Sequence, residues 1–353
     1  MRKATQHLAY GATLGLLLMA PAASVANVSQ GPKPWEDRFS EADIVCRCVV
    51  QTVLKEDPSR NSAPAQGVDY RVAADALSLF KGPAGVSRLT VEFRGRDPDW
   101  GAPLQANRSY VLFLKSIAHG RYELIAPEGS VIDLTRSEVA NLNFAGPSAL
   151  EASIRGELRA SNNGPAVRDL LLMLLQFRDL SQETLYSVDQ LNLGALSPVA
   201  DLLRLEVLAD KGSPSGPFIS QLIAALLKQQ AKNPTENLPD SIGGDGFSKI
   251  FDTIAARSTQ KDLQNLRLLG DCPANSLRLS AMFATRRLRD TSSVPFLIHK
   301  LDDSDRLVQY EAVITLAEIT GKSGDFGPGM GPFEQNPEKY VWLWKDWWLT
   351  GDK

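Results

Sequence analysis

The chain has 353 residues, 43% of them apolar and 22% charged, which is material for two or three packed units and excludes disorder along the whole length. Its net charge of −3 carries no basic excess, so a phosphate-binding surface for nucleic acid is not expected.

Residues 1–26 have the pattern of a signal peptide: Arg2 and Lys3 at the start, an apolar run centred on Leu14 to Met19, and the small-residue site Ser24-Val25-Ala26. Cleavage is expected after Ala26, which makes the protein extracytoplasmic, either periplasmic or secreted. No cysteine follows the apolar run to take a lipid anchor. Later stretches fall short of the ~20 continuous apolar residues that a membrane span needs. Residues 27–41, polar and containing proline, read as a loose lead-in.

Strands are expected next. Ala42 to Leu54, Tyr70 to Phe80, Ser87 to Phe93, Tyr110 to Leu114, Tyr122 to Ala126 and Val131 to Leu134 are apolar, β-branched or aromatic runs. Turn material separates them, including Asp57-Pro58, Lys81-Gly82-Pro83, Asp97-Pro98, His119-Gly120 and Glu128-Gly129. Short strands so punctuated predict a small closed or nearly closed barrel over residues 42–140. Alternation puts Ile44, Cys46, Cys48 and Val50 on one strand face. Cys46 and Cys48 then read as small buried side chains, the alternative being a disulfide from one of them to Cys272, the third cysteine.

ADIVCRCVVQTV, DYRVAADALSLFKGPAGVSRLTVEF and LQANRSYVLFL together resemble the bacterial OB-like modules related to the netrin and tissue-inhibitor-of-metalloproteinase domain, over about residues 40–135. Such inhibitors use a Cys-x-Cys at the mature N-terminus, where the free amine helps to chelate the target's zinc. Here Cys46 and Cys48 lie well inside the expected N-terminus, so the resemblance implies the fold and does not carry that mechanism.

The domain boundary falls near residues 136–148, after which leucine- and alanine-rich helical segments begin. Ser148 and Glu151 fit a capping box. Val167 to Leu180, Val199 to Ala209 behind Ser197-Pro198, Phe218 to Leu227 and Phe247 to Ala256 read as helices. Val294, Leu297, Ile298 and Leu301 line a further helix capped by Ser293. Val308, Ala312, Leu316 and Ile319 line the next, with Asp302, Asp303, Ser304 and Asp305 as turn and cap and Gly321 as the stop. Sliding LRLSAMFATRRLRD onto VQYEAVITLAEITG pairs Ala281 with Ala312, an offset of 31 residues. This stretch resembles short bacterial HEAT repeats of the phycobilisome-lyase-like kind, and implies an all-α HEAT-like helical solenoid over residues 148–321. Residues 322–353 form a loop and a Trp-rich helix opened by Asn336-Pro337. Tyr340, Val341, Trp344, Trp347 and Trp348 face the stack as a cap, and Trp342 is left exposed.

Catalytic chemistry finds little material. Past the leader the histidines are His119, in a turn, and His299, on an exposed helix face. Neither a nucleophile elbow nor a phosphate-binding loop motif is present. Asp240 to Gly246 and the Asp97, Asp99, Trp100 loop read as solvated turns, so no metal or cofactor is expected. The expectation is a non-enzymatic exported module that binds a protein partner through Arg306, Tyr310 and Trp342. The alternatives are a protease inhibitor acting through the barrel edge near Cys46 and Cys48, and an enzyme with a carboxylate site at the domain interface.

Overall fold

The computed structural model describes residues 33–56, 68–95, 104–118, 120–125, 131–134, 137–161, 163–193, 197–213, 217–232, 244–322 and 324–351. The expected leader, His119 and the Asp97 to Trp100 loop lie outside them, as do residues 240–243. Two compact units divide the chain, Met1–Thr135 and Arg136–Lys353.

The first unit is an OB-like barrel. Its strands are β1 (Ile44–Glu56), β2 (Val68–Lys81), β3 (Arg88–Gly95), β4 (Ser109–Ala118), β5 (Arg121–Leu124) and β6 (Val131–Asp133). Strand order β1-β2-β3-β5-β4, with β4 returning to β1, closes the ring, and β6 pairs along the remaining edge of β4. β3 and β5 run parallel while the other pairs are antiparallel. Register shifts between Val45 and Cys46, Arg47 and Cys48, and Val50 and Thr52 mark irregularities that strengthen local twist and help the long β1–β2 ladder curl. Gly82 (φ +127°) ends that hairpin in a conformation that L side chains rarely adopt, against Ile44 and Asp43.

Alternation fills the barrel. Ile44, Cys46, Cys48 and Val50 point into a core shared with Val72, Leu89, Val91, Tyr110, Leu112 and Leu114. In β4, however, five consecutive residues from Tyr110 to Leu114 are buried. The reason is α1 (Trp35–Glu41), a helix where a loose lead-in was expected. Trp35 and Phe39, four residues apart on one helical face, lie 5.7 and 5.1 Å from the Phe113 ring and cover the outer side of β4. The Lys81 ammonium donates to the Phe39 carbonyl at 2.6 Å, fixing the helix end to β2.

The second unit is helical: α2 (Ser137–Ala140), α3 (Pro147–Ala160), α4 (Gly164–Leu175), α5 (Gln182–Asp189), α6 (Pro198–Lys211), α7 (Phe218–Lys232), α8 (Gly244–Arg257), α9 (Leu263–Gly270), α10 (Asn275–Leu288), α11 (Val294–Lys300), α12 (Arg306–Thr320), α13 (Met330–Gln335) and α14 (Pro337–Thr350). One row runs α4, α6, α8, α10, α12, α14, each helix against the next, and α3, α5, α7, α9 and α11 lie against it. The last four helices of the row begin at residues 244, 275, 306 and 337, so the 31-residue offset recurs three times. Ile254, Thr285, Leu316 and Trp347 occupy one position of that period, and all are buried.

Caps explain several helix ends and correct two expectations. Ser197, Asp305 and Asn336 accept backbone N–H bonds at their helix starts, and Gly321 ends α12 at φ +71°. The capping box expected at Ser148 does not form, because Pro147 opens α3 one residue earlier. Glu151 instead accepts from the backbone N–H and hydroxyl of Ser181 at 2.8 and 2.6 Å, supporting the residue that caps α5. Ser293 stands at the N-cap position of α11 as expected, but its hydroxyl donates to Asp290 at 2.9 Å and makes no cap hydrogen bond. Helices α5 and α9, which sequence periodicity did not single out, are short, and α5 is largely polar.

The loop between α11 and α12 is held by buried charge. Asp303 accepts from Arg278 Nη2 at 3.0 Å and from the Asp305 N–H at 3.0 Å. Lys300 lies 3.9 Å from Asp303 and 2.6 Å from Asp271. The Arg278 guanidinium also donates to the Cys272 and Pro273 carbonyls. Asp303→Ala leaves the buried Arg278 guanidinium without its carboxylate, while Lys300 keeps its pair with Asp271, and the expected cost is about 3 kcal/mol, read as a lower denaturant midpoint. In the barrel, Trp35→Ala removes an indole that is 1% exposed and costs a similar ~3–5 kcal/mol in the same measurement.

Candidate functional site

Three features carry the chemistry that a site would use: the paired cysteines, a buried carboxylate, and a surface cavity at the α12–α14 end of the stack.

Cys46 and Cys48 are free and buried, side by side on the inner face of β1. A hydrogen bond with Cys48 and burial push the Cys46 thiol far up its scale, so it stays protonated. Cys272 is free and buried within the helical unit, its thiol raised by burial. Cys46 and Cys48 thus face the barrel core and not its edge. His299 is exposed, and among the described residues no group of three or more His, Cys, Asp or Glu is placed to hold a metal ion.

Glu311, on α12, is 2% exposed and faces Arg286 of α10, with Arg286 Nη1 at 3.4 Å. The same guanidinium donates through Nε to Glu318 at 2.9 Å. One cation thus serves two carboxylates. Burial raises the Glu311 carboxyl to about 7 against the pull of Arg286, with Glu318 adding repulsion. Burial alone would lower Arg286, but its bond to Glu318 and the field of both carboxylates raise it. A perturbed carboxylate is a mark of functional sites. This one is closed off between helices and has its guanidinium already in place, which fits a structural pair.

The cavity is open and about 340 Å³ in volume, lined by Leu301, Asp302, Arg306, Gln309, Glu338, Val341, Trp342 and Lys345. The α11–α12 loop and the start of α12 form one wall and α14 the other. Trp344 and Trp347 anchor α14 inward, edge to face at 5.2 Å, with the Trp344 indole N–H donating to the Phe326 carbonyl at 2.9 Å. Residue spacing then turns Glu338, Trp342 and Lys345 outward on the opposite face of that helix. Lys345 pairs with Asp302 at 2.5 Å across the cavity. Arg306 bonds only the neutral Gln309 side chain, at 3.0 Å, and among the described residues neither Arg306 nor Glu338 has an ion pair. Trp342 is 61% exposed.

Of the three contact residues expected from sequence, the fold brings Arg306 and Trp342 to one cavity. Tyr310 is corrected: it is 3% exposed, with its ring 5.3 Å from Phe333, because α12 is covered on most of its circumference by neighbouring helices. Asp302, Gln309, Glu338 and Lys345 were missed. Glu338, Trp342 and Lys345 share a readable helical face, but the pairing of Lys345 with Asp302, 43 residues away, has no local signal. The lining combines an aromatic surface with charges of both signs.

Compared with known proteins, the chain matches no family model and no curated protein.

Because Glu311 is raised in the folded state, folding takes up a proton between its ordinary value of 4.5 and about 7. The associated stability is fully present below that range and is lost as pH rises through about 7. Glu311→Gln keeps the shape without the ionisation, so the expected result is a melting temperature above wild type at about pH 8 and a smaller fall between about pH 5 and 8, read by thermal melts across that series.

Proposed function

We propose that this protein is an exported, non-enzymatic protein-binding module in which a HEAT-like solenoid presents the contact surface and the OB-like barrel is the accompanying body. The observation that carries the reading is Trp342: a tryptophan left 61% exposed beside a cavity, with charged residues around it. An indole surrounded by polar groups is the usual make-up of an interface anchor, since the ring supplies large apolar area and the rim supplies register. The 31-residue spacing of α8, α10, α12 and α14 supports the repeat reading, and repeat stacks bind through side chains on their surface rather than in deep pockets. The leader pattern of residues 1–26 supports export to the periplasm or medium.

Site-specific photocrosslinking tests this. A photoreactive amino acid replaces Trp342 in one variant and Tyr186, 65% exposed on α5, in a control. Both are expressed with the full leader and irradiated in the cells. The expected outcome is a discrete covalent protein adduct from position 342, weakened by Arg306→Glu and absent from position 186. Equal labelling at both positions, or no adduct at 342, removes the cavity from consideration as the contact surface.

A further inference from the structure

We infer that the cavity beside Trp342 is filled by a second copy of this chain, docked across a two-fold axis. The inference rests on the reading of this cavity as a protein-contact surface and names its partner. A two-fold contact uses the same patch twice, so that patch must hold both halves of every interaction. This one does. Trp342 is a projecting knob, and the cavity of about 340 Å³ next to it is a hollow able to receive one aromatic side chain. Arg306 and Glu338 are a cation and an anion, each without an ion pair among the described residues, on the starts of two different helices, α12 and α14.

Charge favours a copy over a partner segment of uniform charge. Lys345 and Asp302 already neutralise each other within the chain. What is left for a partner is one positive and one negative site. An acidic segment would satisfy Arg306 and bring its own charge against Glu338, and a basic one would do the reverse; either leaves a charge desolvated and uncompensated, which is costly at an interface. A second copy brings Glu338 of the partner subunit to Arg306 and its own Arg306 to Glu338, so both are met in two equivalent pairs. Leu349, 82% exposed and two turns beyond Trp342 along the same helix, extends the apolar area available to the contact.

Sedimentation velocity on the full chain over about 1 to 100 µM reads this directly, since that range spans the affinities of modest dimers. Wild type is expected to shift with concentration from one chain mass to two. Trp342→Ala is expected to weaken the dimer at least tenfold, and because that side chain is mostly exposed, the variant keeps its fold, checked by an unchanged thermal melt. Arg306→Glu alone and Glu338→Arg alone place like charges in contact twice and also shift the protein to monomer. Mixing these two single variants restores a dimer, because each supplies the charge the other lacks. A wild type that stays at one chain mass throughout, or single charge reversals with no effect, overturns the second-copy inference. Failure of the mixture to recover overturns the reciprocal pairing that defines it. A monomeric wild type that still gives a photocrosslinked adduct to a different protein at position 342 leaves the protein-contact reading standing, so the two ideas fail separately.

Discussion

The carboxylate of Asp303 holds the α11–α12 loop on which the cavity of the helical unit is built. It is buried between Arg278 and Lys300, and it also accepts the Asp305 N–H, so one side chain sets the path of the α11–α12 loop. That path places Asp305 to cap α12 and sets Asp302 and Arg306 on the wall of the cavity. Buried ion pairs are weak sources of net stability, because desolvation offsets most of the attraction, but their geometry is strict. Here the strictness is useful: a surface of opposite charges needs its loop held in one conformation.

The barrel depends on a comparable covering event. β4 places Tyr110, Leu112 and Leu114 in the core and would leave Val111 and Phe113 to water, yet both are 0–1% exposed. Helix α1 accounts for Phe113, over which it lays Trp35 and Phe39. A strand buried on both faces loses the polar alternation of a half-exposed one, which is why β4 reads as an unbroken apolar run. Cys46 and Cys48 fit the same scheme as small interior residues of β1.

Within the helical unit, electrostatics separates packing from recognition. Glu311 and Arg286 are closed between α10 and α12, where a carboxyl raised to about 7 is the result of two acids sharing one guanidinium. Arg306 and Glu338 remain at the surface with no ion pair among the described residues, and it is there that an indole stands exposed. The proposed contact surface is thus a place where the stack leaves an aromatic ring and two charges exposed, while the raised Glu311 carboxyl belongs to the interior.

The sequence by itself determined the local elements: the barrel strands through alternation and turn residues, the helix stops and starts at Ser197-Pro198, Asp305, Gly321 and Asn336-Pro337, and the 31-residue offset of Ala281 and Ala312. These depend on contacts within a few residues or on a repeated pattern, and so leave a readable trace. It missed α1, whose two aromatic residues have meaning only against Phe113, and it placed Tyr310 at the surface because the stripe along α12 gives no measure of how many helices surround it. It also assigned to Ser148 and Ser293 cap hydrogen bonds that their side chains do not make. The closure of β1 on β4, the three-way grip on Asp303 and the meeting of Arg306 with Trp342 were decided only by the tertiary structure. The β1–β4 ladder, the reach of Arg278 to Asp303 and the meeting of Arg306 with Trp342 join residues some 25 to 70 positions apart through burial and charge, and no local propensity encodes which distant partner arrives.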